Sequence, residues 1–190
     1  MTDDRVETHI VIGDPGSPSG RRVVHFQEYW VRLHAEVPAE AVIVVGLEDS
    51  SAGPGVVDGI TGADLVIVPP SNPVVSVGTI LGVPGVRQAL VATAAPVVGL
   101  SPIVGGTHVR GMAQQLLTSI GVDVGAGAVG VHYGARTHGG VLDGWLVDTL
   151  DAGDVESVRS AGLRCGSVPL LMTSLDATAE MAAAAVRLVS

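Results

Sequence analysis

Residues 64–90, D-L-V-I-V-P-P-S-N-P-V-V-S-V-G-T-I-L-G-V-P-G-V-R-Q-A-L, constrain the fold more than any other stretch of the chain. Leu65-Val66-Ile67-Val68 is apolar without alternation, which predicts a strand covered on both faces. The loop Pro69-Pro70-Ser71-Asn72-Pro73 stops it, and small residues through Thr79 lead into a helix ending near Leu90. A buried strand that ends in a small polar loop before a helix places N–H groups and hydroxyls at the carboxyl edge of a sheet. Open α/β folds bind ligands there, anionic ones in particular.

The same unit recurs along the chain. Strands are predicted at residues 8–12, 41–45, 96–100, 141–147 and 163–168, with the 41–45 strand buried like 65–68. A short helix is predicted at 55–63. A further helix carries Val109, Met112, Leu116, Leu117 and Ile120 on one face, with Thr107 as N-cap and Gly121 past its end. The last helix, 175–189, is capped by Ser174 and turns Met181, Ala185 and Leu188 inward. Such βα alternation with glycine-marked turns predicts a three-layer α/β/α, Rossmann-like fold around a mostly parallel sheet. At 190 residues, with no repeat or linker, it reads as one domain over 1–190.

Charge narrows the partners. Ten basic residues, all Arg, against 19 acidic ones give 10 − 19 = −9, which argues against nucleic acid and anionic membrane surfaces as partners. A small phosphorylated ligand stays compatible, because backbone amides and one or two Arg can supply the site locally. The single Cys165 rules out an intrachain disulfide and a cysteine-based zinc site. The acidic start, M-T-D-D-R-V-E-T, has no apolar core of a signal peptide, and no run reaches the length of a membrane span. A soluble, cytoplasmic protein is the expectation.

Several motifs compete for the chemistry. G-D-P-G-S-P-S-G at 13–20 lacks the Lys-Ser/Thr ending of a P-loop and reads as a surface turn. Residues 25–36, H-F-Q-E-Y-W-V-R-L-H-A-E, space Phe26, Tyr29, Trp30 and Leu33 at helical intervals. These aromatics either pack a helix onto the sheet or flank a pocket for a planar ligand, with Gln27 and Glu28 beside it. Residues 125–130 match G-x-G-x-x-G, with Asp148 at a plausible distance for a ribose, but no buried strand precedes them, as dinucleotide binding requires. The six histidines lack metal-ligand spacing, His132 and His138 included, and no G-x-S-x-G elbow occurs. Asp143 and Asp148 have only their place near a strand to suggest magnesium.

Two strand-to-helix loops remain. One offers the hydroxyls of Ser71, Ser76 and Thr79 and the Asn72 amide. The other, 101–110, offers Gly105-Gly106 and Arg110. In a parallel sheet both emerge at one edge, where these groups and two helix N-termini could surround a phosphate.

P-S-N-P-V-V-S-V-G-T-I-L-G-V-P-G-V-R-Q-A-L, followed by A-P-V-V-G-L-S-P-I-V-G-G, resembles the signature region of the CofD/FbiA family. M-T-D-D-R-V-E-T-H-I, H-F-Q-E-Y-W-V-R and L-M-T-S-L-D-A-T-A-E-M resemble it too, in the same order. These are 2-phospho-L-lactate (or phosphoenolpyruvyl) transferases of deazaflavin coenzyme (factor 420) biosynthesis. The resemblance implies a magnesium-dependent transfer from a guanosine diphosphate conjugate to the side-chain hydroxyl of the deazaflavin precursor Fo, with release of GMP. It implies that Ser71 and Asn72, with Ser76, Gly78 and Thr79, line the nucleotide-phosphate side, with Gly105 and Gly106 adjoining; Pro73 and Arg110 complete the candidate substrate-binding set, and a homodimer is compatible with it. A related branch of the superfamily, which binds sugar nucleotides such as UDP-sugars and serves regulation, supplies the alternative of a non-catalytic binding module.

The sequence also departs from the family. Its members begin with a G-G-T-G-G-A-K-type strand and loop, followed by acidic residues associated with metal and deazaflavin binding, and M-T-D-D-R-V-E-T corresponds to an interior part of that pattern. Thr107 stands where a Lys is usual, and Ser174-Leu175 replaces Asp-Pro after Met172-Thr173. The expectation is a C-terminal portion lacking the first strand–loop–helix units, whether a fragment, a mis-started reading frame or a natural truncation, and impaired alone.

Overall fold

The computed structural model describes residues 1–108 and 112–190. At its centre lies a parallel sheet of four strands in the order β4-β5-β8-β9: Val66–Val68, Val97–Leu100, Gly144–Val147 and Arg164–Ser167. Alternate residues of these strands feed two cores. Val66, Val68, Val97, Trp145, Val147 and Cys165 face one side, where the helices α1 (Val56–Thr61), α3 (Val86–Ala92), α5 (Ala126–Tyr133) and α6 (Val155–Ser160) cover them. Leu65, Ile67, Val98, Leu100 and Leu146 face the other, against Met181, Ala184 and Ala185 of α7 (Leu175–Val189). Helices on both faces of a parallel sheet make the three-layer α/β/α fold, and they explain why β5 and β8 have no polar side. Strand β4 is an edge in this chain. With a single neighbour, its residues are half-buried rather than fully covered.

The first three strands form a separate, antiparallel sheet, β2-β1-β3: Arg21–His25, Glu7–Gly13 and Ala39–Val45. Its inner face, with Ile10, Ile12 and Val24, packs a second small core around Tyr29, while Val23, Ile43 and Val45 point to solvent. Strand β3 is therefore half-exposed instead of buried on both sides, as an antiparallel sheet with one solvated face allows. Residues 13–20 are the β1–β2 hairpin loop, closed by the Asp14 N–H donating to the Gly20 carbonyl at 2.8 Å.

The aromatic segment gives only a short π-helical turn, Glu28–Arg32, because its chain reverses through His34 and Ala35 at φ 48° and 52°. Tyr29 is fully buried and its hydroxyl donates to the Val37 carbonyl at 2.8 Å; Phe26 packs against the same core, whereas Trp30 is 40% exposed. Helix α4 (Ala113–Ser119) begins later than the hydrophobic spacing predicts. Thr107 is no N-cap: it belongs to the hairpin β6–β7 (Ile103–Val104 and Thr107–His108). Nor does α4 have one buried face. Met112 and Leu116 enter the antiparallel sheet's core and Ala113 and Leu117 the central one, whereas Ile120 is 41% exposed and Val109 lies outside the described residues. Among the described residues no single helix is long and apolar enough to cross a membrane.

Candidate functional site

Strands β4, β5 and β9 end at the same edge, and the loops that leave them line a cavity of about 550 Å³. Pro70, Ser71 and Asn72 come from the first loop, Ser101 and Pro102 from the second, and Leu170, Leu171, Met172 and Thr173 from the third; His108 and Ala113 complete the lining. The size and mixed lining suit a small molecule, and the carboxyl edge of a parallel sheet is where such sites form.

Local hydrogen bonds fix each wall. The Asn72 side-chain oxygen accepts from Val74 N–H at 2.9 Å and Val75 N–H at 3.1 Å, and its carbonyl accepts from Ser76 and Val77 N–H. This N-cap starts the helical run Pro73–Gly82, π-helical to Gly78 and α-helical from Thr79 (α2). The first N–H groups of that helix are therefore already satisfied. What Asn72 can still offer a ligand is its NH₂ group, beside the Ser71 hydroxyl. Ser101 is buried, donating to the Ile103 carbonyl at 3.0 Å and accepting its N–H at 3.1 Å, which sets the exit of β5.

The third wall hangs on Asp148 at the end of β8. Its carboxylate accepts from Leu170 N–H at 2.7 Å, Leu150 N–H at 2.9 Å and the Thr149 hydroxyl at 3.3 Å. Burial alone would raise its pKa, but these three donors outweigh that and hold it below the ordinary value of 3.8. Asp148 thus braces this wall. Asp143 sits at the opposite edge, accepting from Val97 N–H at 2.8 Å and paired with Arg136 at 2.5 Å, so the topology removes it from the cavity.

Of the residues singled out by sequence, Ser71 and Asn72 line the cavity. Pro73 and Gly78 are helical residues behind it; a Cβ on Gly78 would meet the Pro73 carbonyl oxygen at 2.7 Å. Ser76 and Thr79 also lie on this helix and outside the lining. Gly105 and Gly106, at φ 60° and 73°, form the two-residue turn of the β6–β7 hairpin. Their N–H groups are not open to a phosphate: they donate to the Asp151 carboxylate at 2.8 and 2.9 Å. Arg110 lies outside the described residues. The residues missed are His108 and the segment Leu170 to Thr173. The rule that all parallel strands present their carboxyl ends together applied equally to β9, and would have found that segment.

The G-x-G-x-x-G run serves packing. Gly130 and Gly99 flank Trp145, whose ring lies 2.7 and 2.5 Å from where their Cβ atoms would be, and Gly127 backs onto Asp154. No three His, Cys, Asp or Glu side chains converge as a metal site among the described residues, and the cavity lining holds no carboxylate. The magnesium ion implied by the resemblance finds no ligand set in these residues.

Residues 1–171 match a family model described as 2-phospho-L-lactate transferase CofD. Among curated relatives, the phosphoenolpyruvate transferases of Streptomyces avermitilis and Streptomyces coelicolor are each 58% identical over 188 residues, 99% of this chain and 57% of theirs. That of Nocardia farcinica is 49% identical over 180 residues, 95% of this chain and 53% of its own. The chain therefore spans little more than half the length of the relatives it matches. A crystal structure of protein BH3568 from Bacillus halodurans superposes with a TM-score of 0.61 over 97% of this chain and 60% of that one. At 16% identity the likeness concerns the fold alone.

Proposed function

Since this chain belongs to the CofD family of 2-phospho-L-lactate transferases, we propose that its carboxyl-edge cavity is the donor side of a transferase site. The donor in this reading is a guanosine diphosphate conjugate, the acceptor is the deazaflavin precursor Fo, and GMP leaves. The names of the relatives at 58% identity favour phosphoenolpyruvyl over 2-phospho-L-lactyl as the transferred group. A new P–O bond forms between the acceptor hydroxyl and the phosphorus bearing that group, the bond to GMP breaks, and the hydroxyl proton is released. Such transfers depend on positioning and neutralisation of phosphate charge more than on covalent catalysis.

The observation that carries this reading is the place of Ser71 and Asn72: both line the cavity at the mouth of β4, within the segment most like the family. In the proposal the Ser71 hydroxyl and the Asn72 NH₂ donate to phosphate oxygens. Leu170, Leu171 and Met172 give the opposite wall an apolar surface on which a planar ring can lie. Magnesium, if required, needs ligands beyond the described residues.

Calorimetric titration of the purified 190-residue chain with GDP, a UDP-sugar and Fo tests the reading. GDP is expected to bind in preference to the UDP-sugar. Preference for the UDP-sugar would replace the transferase reading with a nucleotide-sugar-binding module, and no response to any of the three would sink both. Turnover of Fo by this chain alone, with magnesium and the guanosine donor, is expected to be absent or severely impaired.

A further inference from the structure

Among the described residues, the cavity's lining carries no Arg and no carboxylate. The hydrogen-bond donors that its edge could offer an anion are largely spent: the Pro73–Gly82 helix start on Asn72, the Gly105-Gly106 turn on Asp151, and the Ser101 hydroxyl on its own turn. Among the described lining residues, His108 alone has a titratable side chain.

His108 also lacks the pin that a structural imidazole usually has. The Nδ1 of His25, for comparison, accepts from Gln27 N–H at 3.1 Å, which fixes its tautomer and ring. The Nδ1 of His108 is enclosed by protein with no partner among the described residues; that of His9 shares this state, but only His108 of the two lines the cavity. An enclosed polar atom without a partner is costly and calls for an explanation. No hydrogen bond from a described residue commits this ring, which lines the cavity, to a neighbour. Its backbone, in contrast, is well set: His108 pairs with Ile103 across the hairpin, Ser101 locks the entry and Asp151 clamps the turn. A fixed backbone carrying an uncommitted imidazole is a pre-positioned contact.

We propose that His108 is a ligand-contacting residue of this cavity, whose imidazole donates to an anionic phosphate oxygen of the bound substrate. This rests on reading the cavity as a phosphate-ester site, and it assigns a phosphate contact to a residue outside the Ser71–Thr79 loop.

Histidine-selective ¹⁵N spectra of the whole chain test it, with GDP and inorganic pyrophosphate as probes and His108→Gln to identify the His108 signals. Both probes are expected to shift the His108 ring nitrogens. His108→Gln, with its remaining histidine signals in place, is expected to bind both probes roughly 10- to 100-fold more weakly, as loss of a charge-assisted hydrogen bond implies. Probes that bind the wild-type chain without moving His108, undiminished binding by His108→Gln, or no binding of either probe would each overturn the inference. The two readings can fail separately. Pyrophosphate acting through His108 with no preference for GDP over UDP breaks the guanosine assignment alone, and selective GDP binding with an unmoved His108 breaks this inference alone.

Discussion

The two sheets of this molecule solve different problems with similar residues. In the parallel sheet β5 and β8 are buried along their whole length and Trp145 sits at the centre, enclosed by Gly99, Gly130 and Tyr133. In the antiparallel sheet one face packs on Tyr29 and the other meets solvent. The first arrangement aligns strand ends and thereby makes a ligand edge; the second makes a ribbon that buttresses the rest through α4. That helix, with Met112 and Leu116 on one core and Ala113 and Leu117 on the other, and the shared contact of Val74, are where the sheets are coupled. The site thus depends on the parallel sheet directly and on the antiparallel sheet through α4 and through Val74 of the Pro73–Gly82 helix.

The largest expected effect tests that asymmetry. Trp145→Ala removes a fully buried ring and an indole N–H that donates to the Ala126 carbonyl at 2.8 Å. It should cost about 3–5 kcal/mol in urea unfolding. Ile10→Ala, in the antiparallel sheet's smaller core, should cost less, about 2–3 kcal/mol. Labelling of Cys165 gives a site-specific reading of the difference. This thiol is buried in β9, and desolvation pushes its pKa up to about 11, so it should resist alkylation until the parallel sheet opens. Trp145→Ala should accelerate labelling under native conditions and Ile10→Ala should leave it nearly unchanged. Equal acceleration by both would mean that α4 binds the sheets into one cooperative unit.

A smaller effect is expected at the site's own brace. Because its hydrogen bonds depress the pKa of Asp148 below 3.8, its ionised form is favoured by folding. That contribution is complete above the unfolded value and disappears as pH falls through the folded one. Acidification from about pH 5 downward, past the ordinary value of 3.8, should therefore release the Leu170 N–H, seen as faster local hydrogen exchange in the third wall of the cavity. In Asp148→Asn the same exchange should already be fast at neutral pH and respond little to acid. A wild-type wall that stays protected through this range would show that Asp148 does not hold it.

How much of this was legible in the sequence depended on whether the signal was local. Strand β5, helix α7 with its Ser174 cap, and the three-layer fold follow from short apolar runs and spacing, because parallel strands and amphipathic helices write their burial into adjacent residues. The separation of β1–β3 into a second sheet was not legible, since β2 (R-R-V-V-H) carries a single buried residue, Val24. The division of α4 between two cores was hidden for a related reason: a helix covered on two sides has no single stripe. At the site, Ser71 and Asn72 could be read from their loop. The engagement of Gly105 and Gly106 by Asp151, 46 and 45 residues away, could not, because only the tertiary fold brings that carboxylate to the turn.

That contact gives the smallest and most local expectation. Asp151 mimics an anion at the hairpin turn: two consecutive left-handed glycines point their N–H groups at one carboxylate, as a backbone nest does for phosphate. The site is partly solvated, so Asp151→Ala should cost only about 1 kcal/mol of global stability. Its effect should fall on the hairpin instead, as faster exchange at Gly105 and Gly106, with the Cys165 labelling rate and the protection of β1–β3 unchanged. If the hairpin serves to hold His108 at the cavity, pyrophosphate binding should weaken in Asp151→Ala, though less than in His108→Gln, because the clamp acts only through the imidazole's position. Binding that survives the loss of the clamp would place the ordering of His108 in Ser101 and the β6–β7 pairing alone. A loss as large as that of His108→Gln would mean that Asp151 does more than position it.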